Sequence, residues 1–79
     1  MMTREEYIAN NKYIQKALKN LTKEDLQYLT YISKHDVKIS TDDLRVKQLF
    51  FHMCKGVKVW ELKPLLQSFK ILTTFNNQI

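Results

Sequence analysis

Thr41-Asp42-Asp43-Leu44-Arg45-Val46-Lys47-Gln48-Leu49-Phe50-Phe51-His52-Met53-Cys54-Lys55-Gly56 is the stretch whose reading decides the fold. Val46, Leu49, Phe50 and Met53 recur at i, i+3, i+4 and i+7, the spacing of one face of an α-helix, and Phe51 and Cys54 widen that face. Gly56 stands where a residue in the left-handed region ends a helix, and Lys55 suits the negative end of the helix dipole. A central helix over 41–55 is therefore expected.

Just upstream, Ile39-Ser40-Thr41-Asp42-Asp43-Leu44 runs apolar, hydroxyl, two acids, apolar, and Leu21-Thr22-Lys23-Glu24-Asp25-Leu26 has the same parts. Both read as helix starts, with a hydroxyl accepting from an early N–H and acids near the positive end of the helix. The likeness stops after Leu26 and Leu44, so it reflects repeated capping chemistry rather than duplication. The earlier start opens a helix over 22–34 with Leu26, Leu29 and Ile32 inward, followed by a connector from His35 to Lys38. Val37 and Ile39 could form a short strand, but such a strand has no evident partner in the chain.

Further outward, Leu62, Leu65, Leu66, Phe69 and Leu72 make another helical stripe. Pro64 lacks an N–H and belongs in a first turn, so this helix, 60–75, should start between Val59 and Lys63. Asn76 to Ile79 reads as a frayed end. On the other side, Tyr7, Ile14, Ala17, Leu18 and Leu21 share a face of a first helix over 3–20. Thr3, Glu5 and Glu6 form its start, while the weak helix formers Asn10, Asn11 and Asn20 make it dependent on tertiary contacts. The expectation is an all-α, small four-helix bundle with short connections, a single helical domain over 1–79.

Composition agrees. The chain has 79 residues, 44% hydrophobic and 27% charged, and one Gly and one Pro, which excludes collagen-like and Gly/Pro-rich disordered classes. No apolar run approaches the roughly 18 residues of a membrane span, and the opening residues lack the apolar block of a signal peptide. The expected setting is cytoplasmic, with no membrane partner. A lone Cys54 allows no internal disulfide and no cysteine-rich zinc site.

Groups that could carry catalysis are scarce. His52 and Cys54 are two apart, about 200° around a helix, and so form a poor base and nucleophile pair. His35 lacks companion metal ligands, and a single Gly cannot build a phosphate-cradling loop. The acids Glu5, Glu6, Glu24, Asp25, Asp42 and Asp43 all fall at helix starts, where capping and the dipole account for them. No enzymatic activity, cofactor, metal or small-molecule substrate is expected.

Charge is more informative. A net charge of +5 favours anionic partners, either nucleic acid or a protein with an acidic surface. Lys12, Lys16, Lys19 and Lys23 at i, i+4, i+7 and i+11 would align along the first helix and its exit as a basic ridge. Arg45, Lys47, Lys55, Lys58 and Lys63 form a second group.

Residues 48–66 resemble a helix-turn-helix, with Gly56 in the turn, Val57 after it, and Leu62 and Leu65 inward on the second helix. His52 and Pro64 depart from that pattern. The resemblance implies DNA contacts from Lys55, Lys58, Lys63 and Gln67, but it includes no Arg placed to read guanine. Trp60 either seals the base of the core, the commoner role, or projects as an interface anchor. Tyr28 and Tyr31 lie off the inward line of their helix and widen it toward a partner, including a second copy in a homodimer. The favoured expectation is a small non-enzymatic regulatory or inhibitory protein that binds a protein partner through Lys12, Lys16, Lys19, Tyr28, Tyr31 and Trp60. The alternative is a DNA-binding transcriptional regulator.

Overall fold

Thr3 opens the first helix by a reciprocal exchange: its hydroxyl accepts from the Glu6 N–H, and the Glu6 carboxylate accepts from the Thr3 N–H. The Thr3 N–H and the Thr3 hydroxyl, both donating to the exposed Glu6 carboxylate, hold it below its ordinary pKa. In the computed structural model, which describes residues 2–35 and 37–74, the chain is all-α: α1 Arg4–Asn10, α2 Lys12–Ala17, α3 Lys23–Lys34, α4 Leu44–Cys54 and α5 Val59–Thr74. No strand occurs among the described residues, so the Val37–Ile39 segment is an irregular connector. The frayed end expected over Asn76 to Ile79 lies outside the described residues.

The continuous first helix of the sequence reading is broken in two at Asn11. This residue is extended, with φ −94° and ψ 113°, and its carbonyl side-chain oxygen accepts from the N–H groups of Tyr13 and Ile14 to start α2. Its amide nitrogen donates to the Ser68 hydroxyl of α5 at 3.0 Å and to the Tyr7 hydroxyl at 3.2 Å. Local side-chain bonding of this kind competes with the helical ladder, and here a tertiary partner tips the balance. A tight 3-10 turn, Leu18–Asn20, then ends α2.

One further boundary differs. The N-cap of α4 is Asp43, whose carboxylate accepts from the Arg45 N–H at 2.7 Å, so Thr41 and Asp42 form a turn outside the helix. α5 starts at Val59, within the expected 59–63, but this makes Pro64 its sixth residue rather than a first-turn residue. The proline withholds the N–H that the Trp60 carbonyl would accept, which costs least where the chain is open to solvent, as Trp60 is.

The core joins Ile8 of α1, Ile14 and Ala17 of α2, Leu29 and Ile32 of α3, Val46, Leu49 and Met53 of α4, and Leu65, Phe69 and Leu72 of α5. Each large apolar side chain withdrawn from water here contributes about 1.5–3 kcal/mol. Four residues expected inward, Leu26, Phe51, Leu62 and Leu66, are instead substantially exposed. They sit at the margins of their stripes, where five short helices leave the outer flank uncovered.

Two buried charged residues pin this arrangement. Arg4, nearly inaccessible, donates from its guanidinium to the carbonyls of Ile32 at 2.7 Å, Val37 at 3.2 Å and His35 at 3.4 Å. It thereby serves the open carbonyl end of α3 and ties down the connector. Asp25, expected to act only as a first-turn acid, does more. It completes a capping box with Thr22 and also accepts from Arg45 Nη1 at 2.8 Å and His52 Nδ1 at 2.5 Å, locking the start of α3 to α4. Burial alone would raise its pKa. The hydrogen bonds from Arg45, the Thr22 N–H and His52 outweigh burial and hold the carboxyl well below the usual carboxylate range.

Candidate protein-binding surface

α5 packs inward with Leu65, Ser68, Phe69, Leu72 and Thr73, and a broad outer face of the helix is turned to solvent. The exposed side chains are Val59, Trp60, Leu62, Leu66 and Ile71, interleaved with Lys63, Gln67 and Lys70. Val59 is 81% exposed and Trp60 73%. The core role favoured for Trp60 from sequence is therefore corrected: it lies one turn ahead of Pro64 on the outer side, beyond the reach of the core, with the Lys58 ammonium 5.7 Å from its ring centroid. The one acid of α5, Glu61, is turned away to pair with Lys16 of α2 at 2.6 Å. The result is a helix face that is apolar and cationic and carries no exposed acid.

The lysines of the first segment do not form one straight ridge. Lys12 and Lys16 lie on α2, Lys19 on the 3-10 turn and Lys23 at the start of α3, because the 3-10 turn breaks the register on which the alignment depended. Lys12 sits over the Tyr13 ring at 5.2 Å. Lys16 is held by Glu61, and because the Lys16 side chain is 55% exposed the pair is screened by solvent and contributes little to stability. Lys16 and Lys19 instead meet Lys58 around a cleft of about 130 Å³ that also contains Glu61, Asn20 and Gly56. The structure thus merges parts of two lysine groups that the sequence reading kept apart. Gly56 has φ +70°, as its helix-ending position required, and a Cβ placed there would face the Asn20 side chain.

The tyrosines stand elsewhere. Tyr28 of α3 is half-buried beneath the Arg45 guanidinium, 4.9 Å from the ring centroid. Burial, with the nearby Asp43 charge, pushes its phenol up in pKa, and Arg45 opposes this. Tyr31 is exposed and packs against His35 in a tilted arrangement, with centroids 4.6 Å apart and the rings at 36°. Neither lines the Lys16–Lys19–Lys58 cleft. Of the residues assigned to nucleic acid, Lys55 lies over the exposed Phe51 ring at 5.7 Å and Lys58 over Trp60, while Lys63 and Gln67 project from α5 among its apolar side chains.

The sequence reading missed the exposed flank of α5 because Leu62 and Leu66 fit the same stripe as Leu65 and Phe69. Periodicity places residues on a face but does not say how wide a face the neighbours cover. It also missed the Asp25–Arg45–His52 cluster, whose members are 20 and 27 residues apart with no local signal. Among the described residues no cluster of potential metal ligands exists, and no helix is long and apolar enough to cross a membrane. Cys54 is half-buried, and burial pushes its thiol up in pKa, away from the reactive thiolate form. No family model, no curated protein and no solved structure matches the chain.

Proposed function

We propose that this chain is a non-enzymatic regulatory or inhibitory protein that binds a protein partner with an acidic surface through the outer face of α5. One observation carries the reading: Val59, Trp60, Leu62 and Leu66 are exposed on a single helix together with Lys63 and Lys70, and no exposed acid interrupts them. Apolar side chains interleaved with cations on one rigid face suit a surface that supplies both apolar contact and carboxylates, with Trp60 as an anchor. The face leaves little for reading DNA: Val59, Trp60, Leu62 and Leu66 dominate it, it holds no Arg to contact guanine, and Lys63, Gln67 and Lys70 are its polar side chains for a groove. Gly56 at the turn is the feature that keeps the helix-turn-helix alternative worth testing.

The experiment compares two variant sets after circular dichroism has confirmed folding. The set Trp60→Ala, Lys63→Glu and Lys70→Glu should abolish partner capture, while Lys12→Glu with Lys19→Glu should weaken it only by loss of long-range attraction. Capture that survives the first set and disappears with the second would move the surface to the first helical segment.

A further inference from the structure

Beside the outer face of α5 lies a groove of about 280 Å³ between α4 and α5. Its floor is Val46 and Phe50 of α4 with Leu66 and Phe69 of α5, the two phenyl rings packed 4.7 Å apart between centroids. Its rims are Lys47 on one helix and Lys70 on the other, and neither ammonium has an ion-pair partner among the described residues. In contrast, two other concavities each contain an acid, Glu61 in one and Glu24 with Asp25 in the other. We infer that this groove is the seat of an acidic amphipathic helix of the partner, one large apolar side chain entering between Phe50 and Leu66 while flanking carboxylates meet Lys47 and Lys70. The inference rests on the proposed function and specifies the partner's chemistry.

Three features select this occupant. A groove between two adjacent helices takes a third helix by ridge-into-groove packing, whereas the described residues present no sheet edge for an extended peptide to join. Both rims are cationic, so carboxylates flanking the anchor are the complementary charge. A second copy of the chain would bring a net +5 against +5 and set lysine rims against each other. Nucleic acid would find two lysines for phosphate but, beside the Thr41 hydroxyl at the edge, an apolar floor that offers a base nothing to pair with.

The test uses a synthetic amphipathic peptide with leucines at helical spacing and glutamates elsewhere, and its counterpart with lysines replacing the glutamates. Titration is followed by NMR of the full chain, reading the Val46 and Leu66 methyl signals and the Trp60 indole signal. The inference expects the acidic peptide to move Val46 and Leu66, and Lys47→Glu with Lys70→Glu to weaken it at least tenfold while admitting the basic peptide. Leu66→Gln, at a position already 39% exposed, should weaken the acidic peptide without unfolding the chain. Binding that moves Trp60 but neither methyl overturns the groove and leaves the α5 face standing. Failure of the acidic peptide to bind overturns the groove, and if duplex DNA binds instead the proposed function falls with it. Methyl shifts that depend on protein concentration alone would assign the groove to a second copy and overturn the inference.

Discussion

Replacing Asp25 with Ala removes three hydrogen bonds at once: the cap to the Thr22 N–H, the Arg45 bond at 2.8 Å and the His52 bond at 2.5 Å. The cap is worth about 1 kcal/mol. A hydrogen bond to a charged group contributes about 1.5–3 kcal/mol when well shielded. Here the Arg45 and His52 side chains remain 32% and 25% exposed and can rehydrate, so about 1 kcal/mol apiece is the appropriate discount. The expected loss is about 3 kcal/mol, against about 4–12 kcal/mol of total stability for a chain of this size. In thermal melts followed by far-ultraviolet circular dichroism that is a drop of roughly 12–24 °C. The acid limb supplies a second reading. Because the native carboxyl titrates below its unfolded value, its contribution is complete above about pH 5 and is lost as the pH falls through the usual Asp range toward the native one. Urea midpoints of the native chain should therefore decline on acidification more steeply than those of Asp25→Ala. A loss under about 0.5 kcal/mol, or parallel acid limbs, would refute the claim that Asp25 locks α3 to α4.

Other substitutions separate core from surface and cap from helix. Leu49→Ala should cost about 2–5 kcal/mol in urea unfolding, whereas Leu66→Ala should cost less than half as much because it is part exposed; equal losses would mean that the α5 flank is covered. Asn11→Ala should cost about 1–2 kcal/mol, since it loses both the α2 cap and the tether to Ser68, and a neutral result would restore a continuous first helix. Gly56→Ala should cost about 1–2 kcal/mol from its positive φ alone, because the added Cβ meets only Asn20 Oδ1 at an ordinary 3.9 Å; a stabilised variant would contradict that backbone geometry.

The helical class was legible because Val46, Leu49 and Met53, and likewise Leu65, Phe69 and Leu72, recur at a period that only a helix buries on one side, and these residues form the core. The Thr22 cap was legible because its chemistry is local, contained within four residues. The break at Asn11 was not, although its weak helix propensity was visible: what decides it is Ser68, 57 residues away. For the same reason the hold of Arg4 on the end of α3 is silent in the sequence, since the Ile32 and Val37 carbonyls are main-chain groups that any residues could supply. At the candidate surface, the basic side chains and Trp60 were visible as types. Their assembly on α5 required knowing that Glu61 turns toward Lys16 and that no described helix covers Leu62 and Leu66.

The central claim, a protein partner held by the apolar and cationic face of α5, is tested most directly by capture from nuclease-treated lysate on the immobilised chain, beside the same experiment with Trp60→Ala, Lys63→Glu and Lys70→Glu combined. The account predicts a discrete acidic protein that survives nuclease treatment and is absent from the folded variant. Capture of nuclease-sensitive material alone, or of the same protein by both chains, would contradict it.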